Sequence, residues 1–143
     1  MQRTATAVWN GALKDGKGTI NTQSGTLSDT AYSFATRFEN QKGTNPEELI
    51  AAAHAGCFTM ALSAQLGTMN FTPQTLRTTA TLTLERIDNN WTISKVHLEV
   101  TARIPGISAD AFQSAAGSAK ANCPVSRVLK AEITMNAHLE QAA

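Results

Sequence analysis

The chain has 143 residues, of which 42% are hydrophobic, and its 12 basic side chains nearly balance its 11 acidic ones, leaving a formal net charge of +1. This length suits one compact domain and is too short for two well-filled cores, so a single domain over residues 1–143 is expected. The near-neutral charge, without a long run of either sign, gives no electrostatic footprint for nucleic acid or an anionic membrane.

The N-terminal residues, MQRTATAVW, lack the apolar core and the cleavage pattern of a secretory signal. A cytoplasmic protein is therefore expected. The most apolar stretch, Leu49 to Leu66, is interrupted by His54, Ser63 and Gln65. It predicts a buried helix of a soluble protein and not a membrane span.

The first third of the chain is rich in Gly, Thr and Ser and carries turn signals at residues 10–11, 15–18 and 24–25. Short runs between these turns predict a meander of strands. The strands include residues 5–9, 18–22 and a last one over 32–38.

Residues 42–50, KGTNPEELI, carry several helix-start signals at once. Thr44 or Asn45 suits the N-cap, Pro46 suits the first turn, and the two glutamates complement the positive end of the helix dipole. These signals predict a helix from about Pro46 to about Leu66. The helix is apolar around most of its circumference, so we expect it in the core. Its small residues would also let another helix come close, either from the same chain or from a second copy.

Alternating polar and apolar residues over 76–86 and 91–102, joined through Asp88-Asn89-Asn90, predict an antiparallel hairpin. The remaining predicted elements are two helices and a closing strand, at 110–121, 124–130 and 131–139. The resulting order, β-β-β-α-β-β-α-α-β, predicts an α+β fold with no parallel crossover.

The chain contains two cysteines, Cys57 and Cys123. If they form a disulfide in a reducing compartment, it is expected to be transient, catalytic or sensing. The alternative is that both are buried thiols that merely pack as small hydrophobic groups. Cys57 lies within the apolar helix and needs an activating neighbour to attack as a thiolate. Cys123 precedes Pro124 and a predicted helix, where free N–H groups favour a thiolate, although an N-cap cysteine that faces the core fits equally well.

Arg37 is the candidate cation for Cys57, because a guanidinium stays charged and its planar fork can hold a thiolate and a carboxylate together. A solvated arginine is the alternative. Glu47 either orients Arg37 or only complements the helix dipole. The helical rise places Glu47 about 15 Å along the axis from Cys57. If the two share a site, a second subunit supplies Glu47, and a symmetric dimer contains two such sites.

His54 and Cys57 share one face of the predicted helix, three residues apart. The other two histidines, His97 and His138, complete no recognisable ligand pattern. We therefore expect no metal site and no bound cofactor.

Four segments together resemble the OsmC/Ohr family of hydroperoxide reductases. They are TRFE at 36–39, KGTNPEELI at 42–50, AAHAGCFTMAL at 52–62 and CPVS at 123–126. The resemblance spans nearly the whole chain, and the arginine just before KGTNPEE is similar to that of the OsmC branch. It implies an OsmC-like fold, with antiparallel sheets packed around a long central apolar helix, in an intertwined homodimer. Gly56, where relatives often carry Ala, departs from the family pattern and loosens the helix locally.

The same resemblance implies a cysteine-based peroxidase. Cys57 takes the peroxidatic role and Cys123 the resolving role, while Arg37 and Glu47 reach across from the partner subunit to activate Cys57. An organic hydroperoxide, or hydrogen peroxide, then yields a Cys57 sulfenic acid and next a Cys57–Cys123 disulfide. An external dithiol, of the lipoyl type or another small thiol, reduces it. The alternative is a redox-sensing or ligand-binding protein that uses the same cysteine pair without rapid turnover.

Overall fold

The computed structural model describes residues 1–140, which form six strands and four helices. In chain order they are β1 (Ala5–Asn10), β2 (Lys17–Thr22), β3 (Thr30–Tyr32), α1 (Phe34–Phe38), α2 (Pro46–Thr68), β4 (Thr75–Ile87), β5 (Asn90–Arg103), α3 (Ala109–Asn122), α4 (Pro124–Val128) and β6 (Glu132–Leu139). The chain divides into two compact units, residues 1–49 and the residues from Ile50 onward, which we call the N-terminal and C-terminal units. Helix α2 begins in the first unit and continues into the second.

The N-terminal unit contains the predicted meander, an antiparallel sheet of order β1-β2-β3. Gly18 of β2 pairs with Trp9 on one side and Tyr32 on the other. The rings of Trp9 and Tyr32 lie 5.3 Å apart between centroids. A Cβ atom at position 18 would collide with the Tyr32 ring, so glycine is the residue that lets these two aromatic side chains come together.

The prediction of a strand over residues 32–38 was wrong, because residues Phe34–Phe38 form helix α1. Ser33 and Thr36 make a reciprocal capping box: the Ser33 side chain accepts a hydrogen bond from the Thr36 N–H at 3.2 Å, and the Thr36 hydroxyl accepts one from the Ser33 N–H at 2.8 Å. This cap overrides the strand preference of the aromatic and β-branched residues that follow it. As a result Arg37 lies in the last turn of a short helix and not at a strand end.

The long apolar helix is confirmed as α2. The Asn45 side chain accepts a hydrogen bond from the Glu48 N–H at 2.8 Å, so Asn45 supplies the N-terminal cap. By length and composition alone α2 could cross a membrane. Its buried side chains recur every four residues, at His54, Phe58, Leu62 and Leu66. Because Phe58 and the two leucines belong to the hydrophobic core of the C-terminal unit, α2 is the core helix of that unit.

The predicted hairpin is confirmed: β4 and β5 pair antiparallel and turn at Asp88 and Asn89, whose φ angles are +48° and +65°. Strand β6 pairs with β5 in parallel, so the sheet of order β4-β5-β6 is mixed. The expectation of no parallel crossover was therefore wrong, whereas antiparallel pairing is confirmed for β1-β2-β3 and for β4-β5. Helices α3 and α4 supply the long connection that returns the chain to the same end of the sheet. The α+β class stands, and buried side chains of β5 and α3 pack with those of α2 to form the core.

Candidate active site

The C-terminal unit brings the two cysteines together. Cys57 lies in the middle of α2, Cys123 lies between α3 and α4, and their thiols are hydrogen-bonded to each other. Both are free cysteines. Cys123 is completely buried, whereas Cys57 is only partly buried. The thiol that can meet a molecule from solvent is therefore Cys57.

Helix ends hold the Cys123 backbone in place. Its N–H donates to the Ala119 carbonyl at 2.9 Å, which closes α3, and its carbonyl accepts from the Arg127 N–H at 3.1 Å, which opens α4. Since a residue before proline avoids the helical conformation, Pro124 helps to separate the two helices at this point. Cys123 adopts φ −55° and ψ 127° there. Its sulfur makes no side-chain capping hydrogen bond to α4. The N–H groups of Val125 and Ser126 nevertheless lower the pKa of Cys123.

The two thiols differ in how readily they ionise. Burial raises the pKa of Cys57, and its hydrogen bond to Cys123 raises it further, against a smaller opposite effect of the Val125 N–H. Burial also opposes ionisation of Cys123, but polar interactions with Cys57, with the N–H and hydroxyl of Ser126 and with the Val125 N–H outweigh it and lower the pKa of Cys123. Among the described residues of the C-terminal unit, none of the groups that act on the pKa of Cys57 carries a positive charge. The local arrangement thus favours a thiolate at Cys123.

Ser126 and His54 are neighbours of the thiols to which the sequence reading assigned no role in the chemistry. The His54 Nε2 lies 2.8 Å from the Ser126 Oγ, and the Ser126 hydroxyl in turn contacts Cys123. Burial lowers the pKa of His54, which keeps its imidazole neutral. The signals in the sequence were the place of Ser126 in the CPVS run and the place of His54 one helical turn before Cys57.

Arg37 and Glu47 form an ion pair in the N-terminal unit. The Arg37 Nε lies 3.1 Å from both carboxylate oxygens, and the Nη2 lies 2.6 Å from Oε1. The guanidinium also lies 5.3 Å from the centroid of the Phe38 ring. The side chain of Glu47 is 13% exposed and that of Arg37 is 38% exposed. Glu47 therefore holds one side of the guanidinium in a fixed orientation while part of the group remains accessible.

A cavity of about 250 Å³ lies beside Arg37 in the N-terminal unit. Most of its lining is apolar and includes Trp9, Tyr32, Phe34 and Phe38. Arg37 is the charged residue of this lining. Such a cavity suits a small apolar molecule that carries one polar end.

The structure thus joins the four predicted residues in two pairs, Cys57 with Cys123 and Arg37 with Glu47, which belong to the C-terminal and the N-terminal unit respectively. Across residues 1–140, no three side chains of the metal-binding types converge on one point. A site that combines both pairs stays a prediction.

Known proteins are similar to this chain over nearly all of its length. A family model described as OsmC-like protein matches residues 39–138. Peroxiredoxin OsmC of Escherichia coli K12 is 52% identical over 134 residues, which is 94% of each chain, and the protein of the same name from Shigella flexneri matches equally well.

Solved structures give the same result for the fold. An OsmC-like protein from Vibrio cholerae superposes with a TM-score of 0.76 at 15% identity, covering 96% of this chain and 99% of that one. The organic hydroperoxide resistance protein OhrB of Bacillus subtilis superposes with a TM-score of 0.64 at 23% identity, covering 96% and 98%. At such identities the superpositions establish a shared fold.

Proposed function

This chain belongs to the OsmC family and is a peroxidase-type enzyme, and from that premise we propose that it reduces organic hydroperoxides, and hydrogen peroxide, through Cys57 and Cys123. The observation that carries the proposal is the contact between the two thiols, which come from distant parts of the chain. Thiols in contact can form a disulfide with little backbone movement. Residues 1–143 act as one OsmC-like domain in this proposal, in keeping with a family match that includes parts of both units.

The reaction begins when the Cys57 thiolate attacks the terminal oxygen of the hydroperoxide. The O–O bond breaks, the alkoxide leaves and takes up the proton that Cys57 released on ionising, and Cys57 becomes a sulfenic acid. Cys123 then attacks the Cys57 sulfur, so that the S–S bond forms and the hydroxyl group leaves as water. An external dithiol, of the lipoyl type or another small thiol, reduces the disulfide and restores both thiols.

Cys57 needs a cation to become a thiolate near neutral pH, because burial and Cys123 raise its pKa and no positive charge acts on it from the described residues of its own unit. Arg37 of a second copy of the chain fits this need. Its guanidinium is held by Glu47 and remains 38% exposed. In this proposal each subunit contributes its thiols to one site, and its arginine and glutamate to the other.

The exposed face of α2 supports a homodimer. This face is made mostly of small residues, with one large apolar side chain, Met60, which is 77% exposed. The exposed residues of its middle part are Ala52, Ala53, Gly56, Met60, Ser63 and Ala64. Small side chains let two helices approach closely, so we expect α2 to pack against its copy in an intertwined dimer. The protein is expected in the cytoplasm, without a nucleic-acid or membrane partner.

The cavity beside Arg37 favours organic hydroperoxides over hydrogen peroxide, because its aromatic lining can bury a hydrocarbon group while the guanidinium faces the polar end. Peroxide consumption is therefore measured with cumene hydroperoxide and with hydrogen peroxide, each with dihydrolipoamide and with thioredoxin. We expect the highest kcat/KM for cumene hydroperoxide with dihydrolipoamide.

Cysteine variants test the two roles. Cys57→Ser is expected to abolish peroxide reduction, whereas Cys123→Ser still oxidises once at Cys57, where dimedone traps the sulfenic acid, but no longer recycles efficiently. Equal residual turnover in the two variants would refute the assignment. Stoichiometric oxidation to the disulfide without turnover on either dithiol would instead favour the redox-sensing alternative.

Mixed dimers test the shared site. A Cys57→Ser chain is co-refolded with an Arg37→Ala/Glu47→Ala chain, and heterodimers are purified through two different affinity tags. One of their two sites then has Arg37 and Glu47 from the first chain and both thiols from the second, so activity is expected to reappear below the wild-type level. If the heterodimers are as inactive as the two parents, the shared site is rejected.

A further inference from the structure

His54 is a buried polar group that the mechanism above does not use. Its side chain is 0% exposed, and its Nε2 lies 2.8 Å from the Ser126 Oγ. Its Nδ1 is buried without a hydrogen-bond partner among the residues that the structure describes. Since an unpaired polar atom in a core is destabilising, a histidine that only filled space would be a poor choice at this position.

Ser126 connects this histidine to the thiols. Its hydroxyl oxygen lies 2.8 Å from His54 Nε2, and the same hydroxyl acts on the Cys123 thiol and lowers its pKa, as Cys57 also does. The four side chains form a continuous series, His54, Ser126, Cys123 and Cys57, although they come from α2, from α4 and from the residue before α4.

The number of protons on His54 and Ser126 decides which group donates and which accepts in these hydrogen bonds. A serine hydroxyl has one proton, and a neutral imidazole has one N–H. If His54 carried its proton on Nδ1, the Ser126 hydroxyl would donate its proton to Nε2, and the buried Nδ1–H of His54 would have no acceptor. If His54 carries its proton on Nε2, that N–H donates to Ser126 and only a lone pair stays unpaired. Buried N–H groups without a partner are the rarer defect, so the second arrangement is favoured.

We propose that His54 is a positioning residue: its Nε2–H binds the Ser126 oxygen and thereby directs the single hydroxyl proton of Ser126 to the sulfur of Cys123. This inference rests on the proposed function, since Cys123 is the resolving thiol there. The directed proton stabilises the Cys123 thiolate at two moments. The first is when the thiolate attacks the Cys57 sulfenic acid, forming the S–S bond as hydroxide leaves and is protonated to water. The second is when an external thiolate attacks the Cys57 sulfur and Cys123 departs with the electron pair of the S–S bond.

Thiolate absorbance at 240 nm tests the proposal without any need for turnover. In a Cys57→Ser background Cys123 is the remaining cysteine, and its titration midpoint is measured with three further changes. Ser126→Ala and His54→Met remove the hydroxyl and the N–H donor, and each is expected to raise the midpoint by about one pH unit. His54→Gln keeps an N–H donor at similar reach and is expected to keep the parent midpoint. The control is His97→Met, because His97 also lies beside a hydroxyl, with its Nδ1 2.7 Å from the Thr134 Oγ1, outside the cysteine cluster.

Stopped-flow oxidation by one equivalent of cumene hydroperoxide, with both cysteines present, adds a second readout. Ser126→Ala and His54→Met are expected to slow disulfide formation about tenfold, since one pH unit changes the thiolate fraction tenfold, and to leave sulfenic acid formation unchanged. Unchanged midpoints in both variants, or equal slowing of both steps, would overturn the proposal. Ser126→Ala removes one oxygen atom and decides the matter alone if thermal unfolding shows that His54→Met is not folded. Shifted midpoints in a protein that consumes no peroxide would support the positioning role while the proposed function fails.

Discussion

Replacing Arg37 by lysine keeps the positive charge and removes the planar guanidinium. The substitution therefore separates the effect of the charge from that of the bidentate geometry. Three hydrogen-bond contacts join Arg37 to Glu47, at 3.1, 3.1 and 2.6 Å. A lysine ammonium is a single point donor on a flexible stem and cannot bind both carboxylate oxygens while it also faces a thiolate. Arg37→Lys therefore tests whether an oriented guanidinium activates Cys57.

The expected loss follows from these contacts. A hydrogen bond to a charged group contributes about 1.5–3 kcal/mol, and the partial exposure of the pair brings the value towards the lower end. With about 1.4 kcal/mol for each factor of ten in rate, kcat/KM should fall about 10- to 30-fold. The free energy of unfolding should change by less than about 1 kcal/mol, because an ion pair in contact with solvent adds little to stability.

The assay is kcat/KM for cumene hydroperoxide at saturating dihydrolipoamide, together with the pH dependence of alkylation of Cys57. In Arg37→Lys the midpoint of alkylation should move to higher pH, since the thiolate loses an oriented donor. Arg103→Lys is the matched control, because Arg103 and Glu140 form an ion pair at 3.3 Å that is exposed on the surface. Wild-type kinetics in Arg37→Lys, or an equal loss in Arg103→Lys, would refute the reasoning.

Three further predictions concern stability. Phe58→Ala should lower the free energy of unfolding in urea by about 3–5 kcal/mol, because Phe58 is 0% exposed. The control, Val128→Ala, should change it by less than about 0.5 kcal/mol, because Val128 is 77% exposed. Burial lowers the pKa of His54 below its ordinary value of 6.5, so below about pH 6.5 the unfolded chain binds a proton that the folded protein does not. The free energy of unfolding should therefore be full above this pH and fall below it by up to about 1.4 kcal/mol per pH unit. Urea titrations should show a weaker pH dependence in His54→Gln. Gly117→Ala in α3 should raise the melting temperature, through a gain of about 1 kcal/mol in helix propensity, because a Cβ atom there meets nothing within 4 Å. A lower melting temperature would contradict this.

Elements with local signals could be predicted from the sequence. The start of α2 depends on Asn45 and Pro46, and the β4–β5 turn depends on two residues with positive φ, Asp88 and Asn89. Helix α1 also had a local signal, since Ser33 and Thr36 have the spacing of a capping box, but the aromatic and β-branched residues around it favoured a strand. The direction of β6 had no such signal, because alternation along one strand is the same for a parallel and an antiparallel neighbour.

The sequence by itself determined the family and the α+β class, because motif spacing and hydrophobic period are properties of neighbours along the chain. The four site residues are predicted from the same motifs. Only the tertiary structure decided that burial and hydrogen bonding favour a thiolate at Cys123 over Cys57 within the C-terminal unit. It alone placed His54 of α2 beside Ser126 of α4. The physical reason is that the pKa of a thiol depends on its burial and on the donors around its sulfur. Val125 and Ser126 are close to Cys123 in the chain, whereas burial and the contribution of Cys57 arise only when distant segments pack together.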